Sequence, residues 1–224
     1  KCKLVEAQKL MNKEKIIFDR IIYISPSTIP SRSANSIHVI NQCNALANHC
    51  SKVITFCASK GGRQGNKAID DFYGIKIQNN LEIKQINVKS NKALQLKIAL
   101  FSACYFLIKW RKNDLVISRN FYISIFLTIL KVKHVYEAHG PESNRSKKLL
   151  QNFIMRNNKV VCISNELAKI LTIQCDNHLD VKVLHDAAST FNKADTDKYL
   201  IQNKRFKVGY FGHLYTGRGI EIIE

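Results

Sequence analysis

The chain has 224 residues, 46% of them hydrophobic, enough for one full domain that buries roughly 70% of its extended-chain surface. Lysine and arginine number 35 against 17 acidic residues, and the formal charge of +18 turns attention to nucleic acid, an anionic membrane surface or anionic substrates. The seven cysteines contain no CxxC pair, which removes the commonest zinc and dithiol patterns and suits a reduced, cytoplasmic protein.

Residues 1–19 are charged and lack an apolar signal core, and Met11 is a more natural start than Lys1, so residues 1–10 read as upstream read-through or a tag remnant. Arg20–Ser25 (RIIYIS) predicts a buried strand ended by Pro26. A polar loop then leads into an amphipathic helix from about Ser36 to His49. Lys52–Cys57 is a second strand, 59–80 a glycine-bearing loop with a short strand near Ile75–Ile77, and Leu81–Val88 a half-exposed strand. Residues 92–112 form the most apolar helix. Its unbroken runs are far short of the ~20 residues of a membrane span, so it is buried or lies against a membrane surface.

Asp114–Ser118 is a strand, Phe121–Leu130 a helix and Val132–Ala138 a strand ended by Gly140 and Pro141. Ser146–Asn157 reads as a helix, Lys159–Ile163 as a strand, and Ser164 as the N-cap of a helix through about Thr172. Val181–Leu184 closes this unit, and 187–205 is a polar linker. Phe206–Phe211 is again a strand. It runs through Gly212 and a loop with Gly217 and Gly219 into a helix start at Ile220, as a Rossmann-like unit opens. The chain therefore reads as an extension over 1–19, a doubly wound parallel α/β domain over 20–186, a linker, and the opening of a second, incomplete Rossmann-like domain over 206–224.

Ligands of such domains bind outside the C-terminal edges of the strands. Ser25, Pro26, Pro30, Ser31, Arg32 and Asn35 follow the first strand there, Arg119 the 114–118 strand, and His139, Gly140 and Glu142 the 132–138 strand. Ser164, His185 and Asp186 complete that edge. Arginine, histidine and small polar residues suit an anionic or sugar-like ligand. The histidines show no HExxH pattern, and His134 and His139 should face opposite sides of their strand, so no metal site is expected. GxSxG, GxxxxGK[ST] and a GxGxxG after the first strand are all missing, as are aromatics interleaved with basic residues, so no specific nucleic-acid partner is expected.

Four stretches in order carry a resemblance: PSRSANSIHV (30–39), then DLVISR, VYEAHG and VVCISNELAKIL over 114–171, then VLHDAAS (183–189), then VGYFGHLYTGRGIEIIE (208–224). Together they resemble glycosyltransferase family 4, whose GT-B fold sets two Rossmann-like domains across a cleft. The resemblance implies retaining transfer of a sugar from a nucleotide-diphosphate sugar, without cofactor or metal, to a cell-surface glycan or lipid-linked acceptor. It implies that His139 lines the cleft near the reacting sugar, that Ser31, Asn35, Arg119 and Glu142 lie on the acceptor side, and that Gly212, His213, Arg218 and Gly219 meet the donor diphosphate. His213 and Arg218 stand where the family pattern has Arg and Lys. The two-glutamate motif of the family lies beyond residue 224, so the 224 residues alone are not expected to be active. A cytoplasmic enzyme peripheral on the inner face of a membrane is the expectation. The alternatives are a nucleotide-sugar epimerase and a non-catalytic carbohydrate or nucleic-acid binding module.

Overall fold

The computed structural model describes residues 18–88, 94–109, 111, 113–141, 159–174 and 181–185, all within the compact unit Lys1–Asp186. The helix expected over Ser146–Asn157, the linker and the whole of 206–224 lie outside these residues, as do Glu142, Gly212, His213, Arg218 and Gly219.

Seven strands form one all-parallel sheet: β1 (Arg20–Thr28), β2 (Lys52–Ser59), β3 (Leu81–Asn87), β4 (Asp114–Ser118), β5 (Val135–Ala138), β6 (Lys159–Cys162) and β7 (Val181–Val183). Their spatial order is β3-β2-β1-β4-β5-β6-β7, the open, doubly wound, Rossmann-like arrangement. The described helices are α1 (Ala34–Leu46), α2 (Asn66–Tyr73), α3 (Leu94–Lys109), α4 (Phe121–Ile129) and α5 (Asn165–Gln174).

Alternation along β1 divides the core. Ile21 and Tyr23 join Val39, Ile40, Cys43 and Ile69 of α1 and α2, whereas Ile22 and Ile24 join Ile98, Phe106, Ile123 and Leu127 of α3 and α4. A third cluster packs Tyr136 and Val160 against Phe121 of α4 and Leu167 and Leu171 of α5. Both faces of the central strands are therefore covered, and each fully buried Ile, Leu or Phe contributes about 1.5–3 kcal/mol.

Three sequence expectations change. β1 runs past Pro26 to Thr28, because the β1–β2 register shifts between Ile24 and Thr28 and the missing proline N–H falls within that irregularity. The region 59–80 holds α2, with no strand at 75–77; only Ile69 of that helix is buried, so its periodicity is faint, and Gly74 ends it in the left-handed region at φ 65°. β5 begins at Val135 rather than Val132. Lys131 (φ 59°) and Val132 still close α4, with Lys131 N–H donating to Thr128 and Val132 N–H to Leu127.

Candidate functional site

The strand order reverses between β1 and β4, since the chain leaves β1 toward β2 on one side and returns to β4 on the other. The C-terminal mouth of that junction is where an open α/β sheet leaves a crevice for ligands. Two local periodicities aim side chains into it. Glu137 and His139 are two apart, at and just beyond the end of β5, and so share the sheet face to which Tyr23 of β1 points. His38 and Gln42 are four apart on α1, which packs on that same face.

Arg119, the residue after β4, is held by its N–H donating to the Ile24 carbonyl at 2.9 Å. Its side chain, 4% exposed, places Nη2 2.9 Å from His139 Nδ1 and Nε 3.4 Å from Glu137 Oε1. His139 Nε2 lies 2.5 Å from the same Oε1. The other carboxylate oxygen, Oε2, is 2.9 Å from the Tyr23 hydroxyl and accepts from Gln42 Nε2 at 3.0 Å, while Gln42 Oε1 lies 2.8 Å from Tyr23. His38 Nε2 is 3.8 Å from Glu137 Oε1, and the His38 and His139 rings meet edge to face at 5.5 Å. Five residues of four elements thus surround one carboxylate that is 5% exposed, whereas His38 and His139 remain 24% and 27% exposed. The imidazoles form the reachable surface of the cluster.

Burial works to raise the Glu137 carboxyl. The His139 hydrogen bond, the Arg119 charge and the Tyr23 hydrogen bond outweigh it and hold the group below the usual carboxylate range. Glu137 is therefore ionised, and its charge is matched by Arg119. Burial and then the Glu137 charge push the Tyr23 hydroxyl well above its ordinary range, so it serves as a donor. Among the buried side-chain atoms, Arg119 Nη1 has no hydrogen-bond partner.

His38, Glu137 and His139 also bring ligand-type atoms within 4.8 Å of one another, a triple that sequence reading did not find. Arg119 argues against using it for a cation. A guanidinium only donates, so it occupies the Nδ1 lone pair of His139, and its fixed charge already neutralises the one carboxylate.

Of the residues predicted for the site, the structure brings Arg119 and His139 into contact. Asn35 instead donates to Ser27 Oγ at 2.7 Å, continuing a chain to Ser25, and the Ser31 backbone is held by the Tyr73 hydroxyl. Ser31 stays on the loop after β1, where the Ile29–Pro30 bond is cis, and Asn35 stands in the first turn of α1. Ser164 caps α5 as predicted, its Oγ accepting from Leu167 N–H at 3.2 Å. Tyr23, His38, Gln42 and Glu137 were missed. The spacing of Glu137 and His139 in EAHG was a usable signal for one of them, because alternate strand residues share a face. No protein-family model matches the chain, and no curated protein matches it.

Proposed function

We propose that the chain is the acceptor-side domain of a glycosyltransferase of the family 4 kind, moving a sugar from a nucleotide-diphosphate donor to a cell-surface glycan or lipid-linked acceptor. The observation that carries this reading is the half-exposed His139, anchored by Arg119 and Glu137 at the mouth of the β1–β4 junction. It is the residue that the family resemblance sets beside the reacting sugar. A rigidly held imidazole beside a second one suits hydroxyl-rich ligands, and preorganised polar groups act most where charge develops in the transition state. In this reading Arg218 offsets the charge of the departing diphosphate.

The test uses the complete reading frame that contains these residues, a panel of nucleotide-diphosphate sugars labelled in the sugar, and lipid-linked or glycan acceptors. Label should move to an acceptor, and His139→Ala should slow transfer about a hundredfold. Release of free sugar and nucleotide without an acceptor would replace this reading with the epimerase. Indifference to every nucleotide sugar, together with salt-dependent affinity for DNA or RNA, would replace it with the binding module.

Peripheral attachment to an anionic membrane is part of the proposal. Leu100, Phe101, Cys104 and Ile108 form an exposed stripe on α3, Ile108 being 79% exposed, with exposed Lys97, Lys109 and Arg111 along and beyond it. Tyr122 and Ile129 of the adjacent α4 are exposed as well. An apolar stripe flanked by cations, in a chain of charge +18, fits anionic lipid. No helix among the described residues is long and apolar enough to cross a membrane. Sedimentation with anionic phospholipid vesicles should be strong at low salt and weaken as salt rises; absent or salt-insensitive binding would remove this part.

A further inference from the structure

We propose that Glu137 is a positioning residue that fixes His139 as its Nε2–H tautomer and sets the plane of its ring. The assignment follows from counting donors and acceptors. Arg119 Nη2, 2.9 Å from His139 Nδ1, can only donate, so in the neutral ring Nδ1 is the acceptor and the proton resides on Nε2. Nε2 meets Glu137 Oε1 at 2.5 Å, and an ionised carboxylate can only accept. The two contacts demand the same tautomer, and both ring nitrogens are engaged.

The Glu137 carboxylate is itself held in orientation. Gln42 Nε2 donates to Oε2 at 3.0 Å and the Tyr23 hydroxyl lies 2.9 Å from it, so donors converge on that oxygen and leave Oε1 for His139. This makes the isosteric Glu137→Gln informative. The Tyr23 and Gln42 donors would draw the new amide oxygen to the Oε2 position, turning the amide NH2 toward His139. The imidazole would then face a donor on each side, Arg119 at Nδ1 and the amide at Nε2. A neutral ring carries one proton and cannot accept on both nitrogens, so one contact must break and the ring is released.

His134 supplies a reference of opposite sense. Its Nδ1 lies 2.9 Å from the Val132 carbonyl, an acceptor, so His134 carries its proton on Nδ1.

The positioning role concerns the ring alone, and only its functional consequence rests on the glycosyltransferase reading. The test is ring-nitrogen NMR of the full 224-residue chain labelled with 15N-histidine near neutral pH. Signals of His139 and His134 are identified by their loss in His139→Gln and His134→Gln among the seven histidines. In the wild type His139 should show a protonated Nε2 and a bare Nδ1, with His134 showing the reverse. In E137Q the His139 Nε2–H should lose the downfield proton shift and slow solvent exchange that a hydrogen bond to the carboxylate gives it, while His134 is unchanged. A wild-type His139 protonated on Nδ1 overturns the proposal, as does an E137Q spectrum in which the His139 Nε2–H keeps its wild-type shift and exchange rate. The wild-type spectrum suffices to overturn it even when E137Q does not fold. Failure of sugar transfer in the complete protein would overturn the proposed function and leave the tautomer result standing.

Discussion

The two ends of the β1–β4–β5 junction each hold a buried arginine–carboxylate pair, and the pairs differ in how fully they are satisfied. At the N-terminal end Arg20 Nε and Nη2 grip Asp114 at 2.8 and 2.5 Å, with Nη1 3.3 Å from the Tyr105 hydroxyl and Nη2 2.7 Å from the Lys109 carbonyl. Asp114 also accepts from Arg111 N–H at 2.9 Å. The Asp114 hydrogen bond leads in raising the Arg20 guanidinium against the opposing effect of burial. At the C-terminal end Arg119 shares one carboxylate with His139, Tyr23 and Gln42, leaves Nη1 unpartnered, and fronts two partly exposed imidazoles. A saturated ion pair ties strands together. An under-satisfied network with reachable titratable groups is the arrangement that binding or catalysis can use.

The largest expected effect breaks the saturated end. Asp114→Ala leaves the Arg20 charge without its partner and should cost about 3–5 kcal/mol in urea denaturation. His139→Ala should cost under about 1 kcal/mol, because a partly exposed ring is lost while Arg119 keeps Glu137. Equal costs at the two ends would erase the distinction drawn between them.

Acid titration sharpens the same contrast. Burial pushes His134, at the N-terminal end of β5, down to about 4 from an ordinary 6.5. Its folded value is depressed, so the stability it supports is complete above 6.5 and falls as the pH drops toward 4, by about 3 kcal/mol in all. His134→Gln should flatten that limb in pH-dependent thermal melts. Glu137 is likewise depressed, and its contribution is full above the ordinary carboxylate value and is lost only as the pH falls through its lower folded value. The C-terminal network should therefore outlast the loss at His134. If His139 and its neighbours lose their ordered NMR signals in step with the His134 transition, that separation of the two ends is wrong.

The smallest effect lies on the surface. Phe101→Ser on the exposed stripe of α3 should change stability by no more than about 0.5 kcal/mol. It should nevertheless weaken sedimentation with anionic vesicles. A large stability loss would mean that Phe101, whose ring centroid is 6.1 Å from that of Phe56, serves the core rather than an interface.

Most strands and helices were legible because their signals are local. KVITFC and DLVIS are apolar runs, and Ser164 caps the helix that follows β6. The errors arose where the local signal was thin or was overridden: α2 buries one residue, and the close of α4 takes in Val132, which looked like strand. At the site, His139 and Arg119 were legible as strand-end residues, whereas Tyr23 read as one more apolar strand position and His38 as part of a helix face.

The sequence by itself determined an alternating, parallel α/β domain, because strand and helix periodicities and caps are written in neighbouring residues. Only the tertiary structure decided that β1 lies beside β4, with β5 next to it, while α1 covers that face. That order brings Tyr23, His38 and Gln42 around Glu137 from sequence separations of 114, 99 and 95 residues. Which strands become neighbours depends on how whole faces bury against one another, and no local pattern around Glu137 encodes it.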